Sequence, residues 1–383
     1  MTSSKRLNVK ETGLEFEKIA RRKGFSRVES YLNHLHSRFA HLVPVAGVQA
    51  SVKGPLKRVF KTQAGSAYVG NSLVWLQKEN NARSVDLIMT SPPFGLIRKK
   101  SYGNARSEDY LNWFRPFAYG CKEVLKDNGS LVIDVGGSWN SGSPSRSLYH
   151  FDLLAMLVRE VGFFLCQEFY WWNPSKLPTP AEWVNVRRVR VKDAVNTVWW
   201  LSKTPFPKAS NTRILNPYSE AMKQVFKRGY HKPASRPSGH ELTDKFIWDN
   251  GGGIPPNLIA LANTQGRQTY FQYCRSKGLP VHPARFPVGL PIFFVKFLTN
   301  KGDLVLDPFA GSLTTGYASQ RLGRRWINID KEIDYVSGGR VRFTRRELDA
   351  PDEEVAEYRI FGPNVTTPLR ERRLPTWGGK SRG

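Results

Sequence analysis

"LVLDPFAGSLTTGYASQRLGRRWINID" covers residues 304–330. It runs from an apolar stretch through a glycine turn and a helix-forming stretch to a second apolar run. That order reads as strand, turn, helix, strand, a unit that binds ligands beyond the carboxyl end of its first strand in open α/β sheets. Asp307 stands at that tip, followed by Pro308 and Phe309, and Gly311 falls where backbone must pass close to a ligand. Ser312, Thr314 and Thr315 crowd the helix start, where amide groups lack partners inside the helix. Asp330 ends the second strand about twenty residues later, where an acid grips ribose hydroxyls. Neither G-x-x-x-x-G-K-[ST] nor G-x-G-x-x-G is present, which argues against a pyrophosphate ligand. An adenosine carrying a cationic amino acid, S-adenosylmethionine, suits acids at these places better. Taken alone, the turn is also compatible with a plain strand-to-helix connection.

A second corner lies far upstream. "VDLIMT" (85–90) is a short continuous apolar run, as expected of a strand covered on both faces. It ends on Ser91, Pro92, Pro93 and Phe94, and then "GLIRKKSYGN" brings Arg98, Lys99 and Lys100. Consecutive prolines fix φ and remove amide donors, so the corner presents oxygens in a stiff arrangement. The Ser91 hydroxyl and the Pro92 carbonyl are acceptors, and Phe94 offers a flat surface for a base. Two such acceptors would localise the lone pair of an exocyclic amino nitrogen, a poor nucleophile while it is delocalised into its ring. No histidine is evident beside Ser91, so it is not read as a strong general base. The basic loop after it would close over a flipped nucleotide, with Gly95 and Gly103 as hinges.

Composition narrows the partner. The chain has 383 residues, with 58 Lys and Arg against 32 Asp and Glu, a formal net charge of +26. Such a balance implies a polyanion, most commonly nucleic acid. Aromatics at 12% favour a packed core over a disordered basic chain. The cysteines Cys121, Cys166 and Cys274 are odd in number and far apart. They suit neither a disulfide framework nor a zinc site, and no metal is expected. No apolar run approaches the ~18 residues of a membrane span, and the amino-terminal stretch has no apolar signal core. The expectation is a cytoplasmic protein without membrane contact.

Between the two corners, "SEDYLNWFRPFAYGCKEVLKDNG" predicts a helix that starts near Ser107, ends at Asn128-Gly129 and is kinked or split at Pro116. "SLVIDVGG" (130–137), "FFLCQEFYWW" (163–172) and "NTVWWLSK" (196–203) predict strands, and residues 148–162 predict a helix. Residues 204–281 are rich in Pro, Gly and basic residues and lose this rhythm. A helix near 289–300 then restores it. The alternation implies an α/β fold on a parallel sheet with an irregular insertion. In the leader, Ser26 and Glu29 form a capping-box pattern before a helical stretch.

The two corners together make the sequence resemble the β group of amino-methylating DNA methyltransferases. "TSPPF" matches that group's catalytic [SD]-P-P-[YF], and "LDPFAGSLTTG" matches its D-P-F-x-G-[ST]-x-T-T-G cofactor turn. "HPARFPVGLPIFFVKFLT" (282–299), which opens with His282 and Pro283, matches the segment that precedes that turn and helps enclose the cofactor. The likeness covers roughly residues 66–335 and is strongest to members that methylate the exocyclic amino group of cytosine. Two positions depart from the commoner pattern. Leu313 replaces a glycine, and Asn328 replaces a glutamate, which leaves the ribose contact to Asp330.

The resemblance implies a Rossmann-like S-adenosylmethionine-dependent methyltransferase fold. Its motif order is circularly permuted, catalytic before cofactor, and it carries an inserted target-recognition region. It divides the chain into a basic helical extension (1–58), a catalytic half (59–203), a target-recognition insertion (204–281), a cofactor-binding half (282–345) and a basic tail (346–383). It implies methylation of cytosine N4 in a short site on double-stranded DNA after base flipping, as the modification component beside a restriction endonuclease that shares the site. Two alternatives stay open: adenine N6 as the target, and a catalytically silent DNA-binding protein. Arg187, Arg188, Arg190 and Lys192 in "VNVRRVRVKDA" (184–194) are read as DNA contacts, and equally as a solvated basic strand.

Overall fold

The computed structural model describes residues 54–95, 109–229, 248–263, 268–350 and 359–360. The leader's helices, the Ser107 cap, Gly103 and the basic triplet Arg98, Lys99 and Lys100 lie outside the described residues. None of the helices among the described residues is long and apolar enough to cross a membrane.

Among the described residues ten strands form one sheet: β1 (Lys57–Lys61), β2 (Gly65–Val69), β3 (Val85–Thr90), β4 (Leu125–Val135), β5 (Phe164–Trp172), β6 (Val195–Ser202), β7 (Leu258–Ala260), β8 (Leu304–Asp307), β9 (Arg325–Asp330) and β10 (Arg359–Ile360). Their spatial order is β1-β2-β9-β8-β3-β4-β6-β5-β7-β10. The sheet is mixed rather than parallel. The run β2-β9-β8-β3-β4 is parallel throughout. β6 inserts antiparallel between β4 and β5, and β1 and β10 pair antiparallel at the two edges. Sequence alternation could not show this, because a strand's own residues do not carry its direction. β5 crosses over parallel to β4 and leaves one strand-width between them, and β6 returns through that space.

Helices of seven or more residues are α1 (Tyr110–Val124), α2 (Tyr149–Ala155), α3 (Glu220–Arg228), α4 (Gln268–Ser276), α5 (Gly289–Leu298), α6 (Thr314–Arg321) and α7 (Ile333–Gly339). α5 is apolar almost all round, "GLPIFFVKFL", and is accordingly buried except at Lys296. Phe293, Phe294, Phe297 and Leu298 pack on Leu87, Met89, Val132, Phe169, Val198 and Trp200 of the sheet. Successive strand residues face opposite sides, so Ile88, Leu131 and Ile133 are buried against the other face.

Two helix expectations are corrected. α1 is continuous through Pro116. The carbonyl that Pro116 leaves without an amide donor belongs to Asn112, which is exposed, so water can satisfy it. α1 also ends at Val124 rather than at Asn128-Gly129. Residues 126–129 form a bulged start to β4, where the register jumps from Val85↔Leu125 to Leu87↔Ser130. The helix predicted over 148–162 is α2 followed by a wider π turn at Met156–Glu160.

At the amino edge of the sheet Asp86 is buried and triply bonded. Its carboxylate accepts from Lys126 Nζ and Lys208 Nζ, each at 2.8 Å, and from the Leu304 amide at 3.0 Å. Burial pushes its pKa up, but the two ammonium groups and the amide outweigh burial and hold it below 3.8. Lys208 also reaches Asp303 at 2.8 Å, so the start of the insertion is tied to the loop before β8. Asp86→Ala leaves the Leu304 amide and Lys126 without this acceptor and Lys208 with Asp303 alone, and an equilibrium urea titration should show a loss of about 2 kcal/mol.

Candidate active site

The carboxyl ends of β2, β9, β8, β3, β4 and β5 all lie on one edge of the sheet, because these strands share a direction. A cleft of about 370 Å³ runs along that edge. That volume lies within the range of small-molecule sites. Ser91, Pro92, Pro93 and Phe94 line it after β3; Pro308, Phe309, Gly311, Ser312 and Thr314 line it after β8; and Asp330 lines it at the end of β9. His282 and Pro283 close it from the segment before α5. The two corners separated in sequence therefore share one cleft.

A buried carboxylate joins them. Thr90 Oγ1, one residue before Ser91, donates to Asp307 Oδ1 at 2.7 Å, and Thr315 Oγ1 donates to Asp307 Oδ2 at 2.6 Å. The Phe309 amide donates to Asp307 Oδ1 at 3.1 Å. Asp307 and Thr315 do not line the cleft, and both are buried. Their place is beneath it, as the brace that sets the tip of β3 against the cofactor turn. Burial raises the Asp307 pKa from 3.8 to about 6, against the opposing effect of the two hydroxyls.

Asp330 pins the same turn from the other side. Its Oδ2 accepts from the Gly311 amide at 2.7 Å and its Oδ1 from the Glu332 amide at 2.9 Å. Burial raises its pKa, and the two amides oppose the rise. Gly311 has a φ of 47°, and a Cβ there would stand 2.9 Å from His282 Nε2. Glycine lets the imidazole close over the turn. Burial, with Arg285 nearby, lowers the His282 pKa from 6.5 to about 4, so the ring is neutral at pH 7. Asn328, at the position where the resemblance expects an acid, is fully buried. Its side-chain amide fits the backbone with its oxygen toward the Gly316 amide, at 3.1 Å, rather than toward the cleft.

The Ser-Pro-Pro-Phe corner has a partner that sequence reading missed. Ser91 Oγ donates to Asp134 Oδ2 at 3.1 Å, and Asn196 Nδ2 donates to Asp134 Oδ1 at 3.1 Å. In the parallel pairing Thr90 faces Ile133, which brings Ser91 level with Asp134. Burial raises the Asp134 pKa from 3.8 to about 6, while Asn196, Ser91 and Lys176 oppose the rise. The available signal was a lone acid near the end of the apolar run "SLVIDV". Phe94 packs against Gly136, where a Cβ would stand 2.4 Å from its ring. Gly70, Asn71 and Ser72 after β2, Trp113 of α1, and Lys176 also line the cleft and were not singled out.

The basic segment 184–194 is not a strand. Glu182–Val186 is a π turn, and the residues after it form an irregular turn. Arg187, Arg188, Arg190 and Lys192 lie on it rather than in the cleft.

The N6/N4 methylase family model, described as DNA methylase, matches residues 85–339. The chain belongs to the DNA methylase family. Over 306 residues it is 48% identical to the type II methyltransferase M.PvuII of Proteus hauseri, covering 79% of this chain and 89% of that one. It is 26% identical over 329 residues to the type II methyltransferase M.BamHI of Bacillus amyloliquefaciens, covering 83% and 66%. The solved structure of the PvuII DNA methyltransferase (cytosine-N4-specific) matches at 41% identity with a TM-score of 0.62, covering 78% of this chain and 92% of that one.

Leu313 distinguishes this cofactor turn. It holds φ 61° and ψ 29°, the left-handed conformation that favours glycine. Its side chain is fully buried among Ala67, Ala310, Trp326 and Val336. The conformation costs about 1–2 kcal/mol for a residue with a Cβ, whereas burying a leucine contributes about 1.5–3 kcal/mol and deleting it leaves a cavity. Leu313→Gly relieves the backbone yet should lower unfolding stability by about 2 kcal/mol in urea titration, because the lost packing exceeds the relieved strain.

Proposed function

We propose that this protein transfers a methyl group from S-adenosylmethionine to the N4 amino group of cytosine in a short site on double-stranded DNA. It would serve as the modification half of a restriction–modification pair. The observation that carries the reading is the Ser91–Asp134 pair, which opens into the same cleft as the turn braced by Asp307. The 48% identity to M.PvuII and the match to a cytosine-N4-specific structure support the choice of base. The net charge of +26 supports a polyanionic substrate.

The cleft fits this cofactor by its chemistry. Asp330 offers a carboxylate at a strand tip, the turn carries no lysine, and His282 is held neutral. Acids and a neutral imidazole suit a ligand with a positive sulfonium better than a polyphosphate. Asp330, His282, Pro283, Pro308, Phe309, Gly311, Ser312 and Thr314 would hold it, with Asp307 and Thr315 fixing the shape of the turn. When bound, S-adenosylmethionine supplies an electrophilic methyl group.

The chain's own residues orient the acceptor and take its proton. Ser91 Oγ donates its proton to Asp134 and keeps its lone pairs for one amino hydrogen of the flipped cytosine; the Pro92 carbonyl accepts the other. Phe94, backed by Gly136, supports the ring. As the nitrogen gains the methyl group it must lose a proton. That proton passes to Ser91 Oγ while the hydroxyl proton moves to Asp134, a carboxylate whose raised pKa makes it a competent acceptor near neutrality. The proline pair holds these oxygens still, so most of the rate gain comes from orientation.

Digestion of methylated DNA to nucleosides should yield N4-methyldeoxycytidine by mass spectrometry, and N6-methyldeoxyadenosine would overturn the choice of base. Ser91→Ala and Asp134→Asn should each lower kcat by about 10²–10⁴-fold.

The proton relay needs ionised Asp134, so kcat should fall about tenfold per pH unit below about 6, a limb that Asp134→Asn abolishes. The stability sign is opposite. The folded pKa of Asp134 lies above 3.8, so its contribution is fully present below about 4 and is lost as pH rises through about 6. Asp134→Asn should therefore be at least as stable as the native chain at pH 7 in thermal unfolding, which separates lost chemistry from lost fold.

A further inference from the structure

The loop joining β5 to β6, residues 173–194, exposes aliphatic side chains beside its charged ones. Its charged groups hold the loop together. Arg187 Nε donates to Glu182 Oε1 at 2.8 Å, and its guanidinium lies 5.1 Å from the Trp183 ring centre. Arg190 Nη2 donates to Asp193 Oδ2 at 3.2 Å. Lys192 Nζ donates to the carbonyls of Pro174 and Lys176 at 3.4 and 3.1 Å. Asp193 also accepts from Arg146 Nη1 at 3.0 Å, which ties the loop to the segment after β4.

The aliphatic groups face water as well: Val186 is 70% exposed, Val189 63% and Val191 85%. The turn carrying them has a set shape. The amides of Val189 and Arg190 both donate to the Trp183 carbonyl, at 2.9 and 3.2 Å, and Arg188 takes a left-handed φ of 55°. Three exposed aliphatic side chains within six positions of one braced loop offer apolar surface to a partner.

Position and charge name the occupant. β5 runs parallel to β4, so the loop leaves the sheet at the edge that carries Ser91 and Asp134. Lys176, near its start, lines the cleft, as do Trp171 before it and Asn196 after it. A duplex whose target base enters the cleft must lie against this rim. A second copy of a chain with a net charge of +26 would be repelled from it, and three valines are too small a patch for a stable dimer. A base drawn out of a duplex leaves a flat apolar gap, and aliphatic side chains occupy such gaps in proteins that unstack DNA.

We infer that Val186, Val189 and Val191 form an apolar wedge that enters the duplex where the target cytosine leaves it. The inference rests on the DNA-methylation reading above. The wedge lowers the barrier to extruding a paired base. It adds nothing once the base is already unpaired, and this difference makes it testable.

The test is the triple variant Val186→Ser, Val189→Ser and Val191→Ser in the full chain. It is assayed on duplexes carrying the methylated site, mapped beforehand on plasmid DNA. In one duplex the target cytosine faces guanine; in the other it faces an abasic position. The wedge requires kcat/KM to fall about tenfold or more on the paired target and less than about twofold on the unpaired one. The fluorescence rise of 2-aminopurine placed at the target position should fall with it. Equal losses on both duplexes, no loss on either, or a change of oligomeric state in sedimentation would overturn the wedge. If the native chain methylates neither duplex, the methylation reading itself fails, and the wedge with it.

Discussion

The carboxylate of Asp307, held between Thr90 Oγ1 and Thr315 Oγ1, is the contact on which the rest of the site depends. It lies beneath the cleft, at the junction of β3 and β8. One hydroxyl precedes Ser91 and the other belongs to the first turn of α6. Through them the tip of β3 that leads into Ser91 and the turn after β8 keep one spacing. Transfer between two bound partners gains most of its rate from such fixed geometry, and a small misplacement forfeits much of it. A salt bridge could not do this as well here, since a buried cation would need its own compensation. Two neutral hydroxyls and an amide satisfy the carboxylate without a second charge.

Charge is distributed in opposite senses inside and outside. The chain as a whole is strongly basic, yet Asp134, Asp307 and Asp330 gather at the carboxyl edge of the sheet. Burial raises the pKa of each. For Asp134 this disadvantage to stability is the property that the proposed proton transfer would use, because a carboxylate reluctant to stay ionised accepts a proton readily. At the opposite edge Asp86 is as deeply buried, but two lysines hold it ionised, and its role is structural. The same residue type therefore serves opposite ends according to what surrounds it.

Some of the loop and turn chemistry was legible and some was not. Gly311 was read as a place where backbone passes close to a ligand; the structure shows its φ of 47° and the close approach of the His282 ring. Leu313 was recognised as a departure, but its left-handed backbone and the apolar pocket that offsets it come from Ala67, Trp326 and Val336, which lie far off in sequence. Pro116 was read as kinking or splitting the helix, and α1 is not split there, because the residue that loses its donor faces water. Basic side chains between β5 and β6 were legible as charge. Only the folded loop shows that Arg187, Arg190 and Lys192 bond within it or beside it while the valines face out.

By itself the sequence determined the strands β3, β4, β5, β6, β8 and β9, the helices α5 and α6, the two corners that line the cleft, and the basic character of the whole. These are local properties: apolar periodicity, turn residues and charge are written within a few positions of where they act. Strand direction, register and the resulting neighbours were decided only in three dimensions. Ser91 meets Asp134 across 43 positions, and Thr90 meets Asp307 across 217. Such meetings follow from which strands lie side by side, and that order is chosen by the packing of α5 and the other buried faces rather than by any one segment.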